Sequence, residues 1–217
     1  MRDLLSTWLR DSRAARWGLA GLAAAIGLGT IALGAYSWYG AQESRGRLAL
    51  AAAADLAQQA ASPGATPDAR DKAIRALDGV LADYPRFSGA SEAAYRLGNL
   101  RYDGAQYGPA RGAYQIAIGK GATGTLRSLA ALGIAYSWEA EKDHGKAQIA
   151  FQAAVAGLSP KDFLYEEGLL GLARVQEFGG NAAAARETYA RLLKERPDTR
   201  RADDIRSRLA SLQSLPK

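Results

Sequence analysis

Four times along the chain a small residue is followed four positions later by a large one, and three positions after that by another small or medium apolar residue. The sets are Ala73-Leu77-Val80, Ala110-Tyr114-Ala117, Ala147-Phe151-Ala154 and Ala185-Tyr189-Leu192. Offsets of i, i+4 and i+7 place each set on one stripe of an α-helix. The leading alanines stand 37, 37 and 38 positions apart. Recurrence at such a period marks a stacked array, in which each supersecondary unit buries its apolar face only by leaning on its neighbours.

A second pattern precedes the first in the last three units: Leu97-Gly98, Leu132-Gly133 and Leu172-Ala173. Each unit is therefore read as two helices. The Gly or Ala lets the backbones approach, and the ring at Tyr114, Phe151 or Tyr189 fills the gap to the next unit. Pro160 and Pro197 stand where helices stop, Pro109 early in its helix where a missing N–H costs nothing, and the SPGATPD stretch at 62–68 is a turn. The stretch 97–117, LGNLRYDGAQYGPARGAYQIA, with Leu97, Gly98, Tyr107, Ala110, Tyr114 and Ala117, resembles the tetratricopeptide repeat. Leu132, Gly133 and Tyr136 fit the same signature, as do Leu172, Ala173, Ala185, Tyr189 and Pro197.

The resemblance implies an all-α fold, a helical-hairpin solenoid with units at about 45–86, 91–122, 126–160 and 166–199. A polar-backed capping helix would lie within 200–213, where DDIRSRLASL runs from Asp203 to Leu212. It also implies that the first helix of each unit lines a protein-binding groove. Carried over, the groove residues are Glu92, Tyr95, Asn99, Tyr102 and Asp103, then Arg127, Ala130, Ile134, Ser137 and Trp138, then Glu167, Leu170, Arg174, Glu177 and Phe178. The mixture of aromatic, amide and charged groups suits adaptable contact with a peptide. Of the paired Lys and Asn that form the carboxylate clamp of some relatives, only Asn99 is matched.

The N-terminal segment reads differently. Residues 17–42 carry no charge, and 18–35 form an apolar run of roughly the length that crosses ~30 Å of hydrocarbon. Trp17 stands at one end and Tyr36, Trp38 and Tyr39 at the other, where aromatic rings suit the headgroup level. A cleaved signal peptide is the competing reading. Sixteen residues precede the run and no strong A-x-A site follows it, which favours an uncleaved transmembrane helix at 17–39. Arg2, Arg10, Arg13 and Arg16 precede it, so 1–16 is expected in the cytoplasm and 40–217 outside. In a bacterium with two membranes that is a single-pass inner-membrane protein with a periplasmic repeat domain. Gly21, Ala25 and Gly29 share one face of the span. They would let a second membrane helix pack closely, or they reflect the abundance of Gly and Ala in such spans. Leu4, Leu5, Trp8 and Leu9 fit a short interfacial helix.

Composition removes several functions. There is no Cys, hence no disulfide, thiolate metal site, Cys nucleophile or lipidated N-terminal Cys. The net charge of +6 is spread over a mixed surface, not a nucleic-acid footprint. His144 is the one His and has no carboxylate cluster in sequence around it, so no metal is expected. The run 119–125, GKGATGT, lacks the order and the preceding strand that a phosphate loop requires, and reads as a flexible linker. Glu166 and Glu167 point about 100° apart on a helix and read as a solvated helix start. No catalytic triad or nucleotide fingerprint is present, so neither enzyme activity nor a cofactor is expected.

The arrangement of one span followed directly by a short repeat array resembles the family of ancillary subunits of the bacterial Sec translocon. That resemblance implies a non-enzymatic tethered adaptor whose partners are translocon subunits, periplasmic chaperones or unfolded chains. The alternative is a structural or assembly subunit of a stable respiratory or cell-envelope complex. Stacking through rings and small residues predicts that Phe151→Ala costs about 3–5 kcal/mol. Gly133→Leu should cost about 1–3 kcal/mol by overpacking. Thermal melts of the two variants measure both.

Overall fold

The computed structural model describes residues 13–213, with side chains from Trp17 onward. The short interfacial helix read at Leu4, Leu5, Trp8 and Leu9 lies outside the described residues. Among those described there are nine helices and no strand. They are α1 (Arg13–Ala60), α2 (Pro67–Asp83), α3 (Ala90–Asp103), α4 (Tyr107–Gly119), α5 (Gly124–Ala140), α6 (His144–Ala156), α7 (Phe163–Phe178), α8 (Ala182–Glu195) and α9 (Ala202–Gln213).

The chain divides into two compact units, Met1–Arg45 and Gly46–Lys217. In the first, α1 is the one described helix long and apolar enough to cross a membrane, with a mean hydropathy of 1.8 in its most apolar window and none of that window buried. Leu22, Ile26, Leu28, Ile31 and Leu33 are all exposed. A Cβ built on Gly21 or Gly29 would meet nothing within 4 Å.

The second unit is an array of helical hairpins: α3 with α4, α5 with α6, α7 with α8. Each second helix also packs on the first helix of the next hairpin, α4 on α5 and α6 on α7, and the first helices touch in the order α3, α5, α7. The stretch of α1 from Ala53 to Ala60 buries Ala53, Ala57 and Ala60 against Ala73, Leu77 and Val80 of α2. At the other end α9 covers α8 with Ile205 and Leu212. This is a tetratricopeptide-like solenoid, with contacts running between neighbours in sequence.

Packing turns on rings seated against glycines. A Cβ on Gly98 of α3 would lie 2.5 Å from the Tyr114 ring, and one on Gly133 of α5 would lie 2.6 Å from the same ring. Tyr114 is thus clamped between its own hairpin and the next. Phe151 of α6 sits against Gly171 of α7, where a Cβ would stand 2.3 Å away, and meets Tyr136 edge-on at 5.0 Å. Phe87, in the loop before α3, fills the space left by Gly46 and Gly89.

The turns inside the hairpins share one geometry. Ala105, Lys142 and Gly180 have φ of 56°, 62° and 78°, each two residues before a second helix begins. In each, that residue's N–H bonds the carbonyl three back and the following N–H bonds the carbonyl five back, as in Gly180 N to Glu177 O and Asn181 N to Gln176 O. This is the Schellman closure, which takes a left-handed residue at its centre. Asp143 and Asn181 then cap α6 and α8, accepting from the N–H groups of Lys146 and Ala184. The stretch read as a flexible linker at 119–125 closes in the same way through Gly121, φ 91°, and it buries Ala122. It is a formed turn.

Left-handed backbone costs an L-residue about 1–2 kcal/mol, partly offset by the extra freedom Gly brings to the unfolded chain. Lys142→Gly and Ala105→Gly are therefore expected to stabilise the array by about 0.5–1 kcal/mol each, and Gly180→Ala to destabilise it by about 1 kcal/mol. Urea unfolding of the three variants gives both signs.

Candidate functional site

The first-helix face of α3, α5 and α7 carries a hollow of about 400 Å³. It is lined by Tyr95, Asn99, Tyr102, Tyr114, Leu129, Leu132, Gly133, Tyr136, Leu164 and Glu167. Gly98 and Gly133 let α3 and α5 close on the Tyr114 ring, which forms part of the wall of the hollow. Tyr95 leans on Tyr114 at 5.9 Å between ring centroids, and Tyr102 meets Tyr107 edge-on at 5.4 Å.

The hydroxyls of the packing rings are held by groove residues. Tyr114 Oη donates to Asn99 Oδ1 at 2.9 Å, Tyr136 Oη to Glu167, and Tyr189 Oη to Glu177. Between units, Arg174 of α7 makes a bidentate pair with Glu139 of α5, Nε to Oε1 at 2.5 Å and Nη2 to Oε2 at 2.8 Å. Burial pushes the Tyr114, Tyr136 and Tyr189 hydroxyls well above the usual tyrosine range. The carboxylates of Glu167 and Glu177, which accept from Tyr136 and Tyr189, push the same way. Burial also raises Tyr102. The Glu139 carboxylate holds the Arg174 guanidinium protonated above its ordinary range.

The residues assigned to the groove by the repeat signature fall into three groups. Tyr95, Asn99, Tyr102 and Glu167 meet in the hollow. Leu170, Arg174, Glu177 and Phe178 line a second, smaller hollow of about 220 Å³ with Tyr189, Arg201, Ile205 and Arg208, between α7 and α9. The remainder come to neither. Glu92 pairs with Arg96 on the surface of α3, Asp103 is exposed, and Ala130 and Ser137 are buried. Arg127 and Ile134 line a separate depression with Ile118, Ala150 and Ala153 of the second helices. Trp138 lies beneath the Arg111 guanidinium, 3.4 Å from its ring centroid, with Lys146 at 4.5 Å.

On α5 it is instead Leu129, Leu132 and Tyr136 that face the hollow. The Tyr114 ring against Gly133 sets this orientation, and the clue in the sequence was the Leu132-Gly133 pair. Glu166 and Glu167 also differ from a solvated helix start. Thr199 Oγ1 donates to Glu166 at 2.8 Å, while Glu167 accepts from Tyr136. Both carboxylates tie neighbouring elements together. His144 stands beside Phe178, ring centroids 5.7 Å apart. Among the described residues no group of three or more His, Asp or Glu side chains converges as a metal site would require.

Residues 167–199 match the family model of the tetratricopeptide repeat. No curated protein sequence matches the chain. Among solved structures, a kinesin light chain-like protein from Podospora anserina, described as having nearly identical TPR-like repeats, superposes with a TM-score of 0.58. Identity is 16%, over 78% of this chain and 85% of that one. At that identity the likeness is one of fold. The chain carries tetratricopeptide-type, all-helical repeats, and repeats of this type are protein-binding scaffolds.

The three buried hydroxyls predict alkaline sensitivity. Their folded pKa values lie above the ordinary 10.0, so below pH 10 both folded and unfolded states keep these protons and stability is unaffected. As pH rises beyond 10 the unfolded chain ionises while the folded one does not, and stability falls. Urea midpoints should stay level from pH 7 to about 9.5 and drop above 10. The phenolate absorbance of these tyrosines should appear together with unfolding.

Proposed function

From tetratricopeptide-type repeats with a hollow on their first-helix face, we propose a non-enzymatic protein-interaction adaptor tethered to a membrane. The observation that carries this reading is the hollow itself. Three successive hairpins contribute to it, and Tyr95, Tyr102 and Tyr136 line it together with Asn99, whose amide oxygen accepts from Tyr114. Aromatic faces flanking a few polar groups suit an extended or helical peptide. The apolar stretch of α1, exposed along its length, supports a single bilayer span at 17–39; Arg2, Arg10, Arg13 and Arg16 before it support 1–16 in the cytoplasm and the repeat domain, 40–217, in the periplasm. Tethering raises the effective concentration of the hollow near the membrane, so weak contacts suffice there. Emerging or partly folded chains, periplasmic chaperones and translocon subunits are partners of this kind.

A second reading has its own support. Gly21 and Gly29 face open space, and with Ala25 they offer a surface on which a partner span could pack permanently. That favours a stable subunit of a respiratory or cell-envelope complex.

A photo-crosslinking amino acid at Tyr102 in the full chain, with Ile149 on the outer face of α6 as the control position, tests the groove. Adaptor function predicts heterogeneous peptide or chaperone adducts from position 102 and few from 149. Equal yields from the two positions would remove the groove from consideration. Purification in mild detergent separates the readings: a stoichiometric complex supports the subunit, loose recovery the adaptor.

A further inference from the structure

The loops between hairpins all lie where second helices end and first helices begin, along one edge of the array. They run over 84–89, 120–123, 157–162 and 196–201. Each carries at least one cation: Arg86, Lys120, Lys161, and Arg196 with Arg200 and Arg201. The acidic residues in these loops are Asp162 and Asp198. Asp162 is engaged by the N–H and hydroxyl of Ser159, and Asp198 stands 3.8 Å from Arg196. Lys120 Nζ donates to the Pro85 carbonyl at 2.8 Å and Arg196 Nη1 to the Pro160 carbonyl at 3.1 Å. The neutral Pro85 carbonyl fixes Lys120 without cancelling its charge, whereas Arg196 is also paired with Asp198 and Arg201 with Glu166 and Glu167. Arg86, Lys161 and Arg200 are exposed. On the opposite edge Glu139, Glu141, Asp143 and Glu177 are each paired with a cation, Arg174, Arg111, Lys146 and Arg208, and Lys142 stands among them.

Phe163, the first residue of α7, stands next to this edge and is 69% exposed; Phe178, at the other end of the same helix, is 64% exposed. The chain enters this unit at Gly46, which packs on Phe87 of the first loop, so the entry point lies on the same edge. Cations interleaved with exposed aromatic and aliphatic residues are the pattern of an interfacial membrane surface.

We propose that this basic loop edge is a lipid-binding surface for anionic phospholipid headgroups, with Phe163 entering the interface beside Lys161. The proposal rests on the reading of the apolar N-terminal helix as a membrane span. It adds that the loop edge makes a headgroup contact of its own.

The lack of native Cys allows a direct test on the full chain. Phe163→Cys and, on the opposite edge, Lys142→Cys each carry a nitrobenzoxadiazole label. The protein is reconstituted into vesicles of phosphatidylcholine alone or of phosphatidylcholine with phosphatidylglycerol. The label at 163 is expected to shift to the blue and brighten when phosphatidylglycerol is present, and the label at 142 to stay unchanged. The shift should fade in 1 M salt, where the screening length is about 3 Å. Each of Arg86→Gln, Lys161→Gln and Arg200→Gln is expected to weaken the contact about five-fold; helicity by circular dichroism confirms that these variants fold.

Identical spectra at 163 in the two lipids, or a shift indifferent to salt and to all three substitutions, would overturn the proposal. Flotation with phosphatidylcholine vesicles reads the tether separately. Flotation without the lipid-dependent shift leaves the tether standing and removes the edge contact. Failure to float with either lipid removes both. A shift that appears only when a purified protein partner is added would assign the edge to protein and overturn the lipid assignment.

Discussion

The repeat array depends on one kind of contact, an aromatic ring laid directly on the backbone of a facing helix. Tyr114 is held on both sides, by Gly98 and by Gly133, so the same ring joins the two helices of one hairpin and attaches the next hairpin. Phe151 on Gly171 and Val155 on Gly168 repeat the arrangement one unit later. A methyl group at any of these glycines would overlap the facing side chain, and the neighbour could yield only by shifting a helix. Cohesion is therefore local and serial. Each ring fixes one interface, and no central core spans the array. The buried apolar residues accordingly fall into successive clusters along the chain.

The same contacts shape the first-helix face. A ring used as a spacer must place its hydroxyl somewhere, and a buried hydroxyl without a partner costs about 1–3 kcal/mol. Tyr114 and Tyr189 reach between the helices to Asn99 and Glu177. Two of the polar groups that the repeat signature assigns to ligand contact are therefore already engaged inside the protein. Arg174 is likewise engaged by Glu139. What stays open in the hollow is mainly the aromatic and aliphatic surface of Tyr95, Tyr102, Tyr136 and Leu129, above a buried Leu132. Rigid aromatic surface loses little conformational entropy on contact, which favours recognition by shape.

The all-helical repeat fold was legible because Ala, a ring and a small residue recurring every 37 or 38 positions suit stacked helix pairs and few alternative folds. The position of the hollow was legible on α3, where Tyr95, Asn99 and Tyr102 follow the signature. It was less legible on α5, whose exposed and buried faces are nearly equally apolar. Nothing in the spacing alone says that Tyr136, and not Ile134, turns toward α3; the Gly133 contact decides it. The turns show another limit. A left-handed residue is expected where Gly stands, as at Gly180, yet Ala105 and Lys142 adopt it too, because closing the helix into the next cap outweighs the local strain. Phe87 was also not read as core. It lies in a loop outside any helical stripe, and its burial depends on Gly46, 41 residues earlier.

The two ends of the array meet different physical demands. A solenoid that stopped after α8 would leave the face beyond Tyr189 and Leu192 uncovered. The chain covers it with α9, a helix that turns Ile205 and Leu212 inward and presents Asp203, Arg206 and Arg208 outward, with Arg206 paired to Asp203 and Arg208 near Glu177. At the start, the segment from Gly46 to Ala60 buries Ala53, Ala57 and Ala60 and lays Leu50 and Leu56, half-buried, on the same cluster. Phe87, Leu97 and Leu100 of the following unit complete that cluster, and the entry of the chain at Gly46 is fixed by Phe87 in the loop that precedes α3.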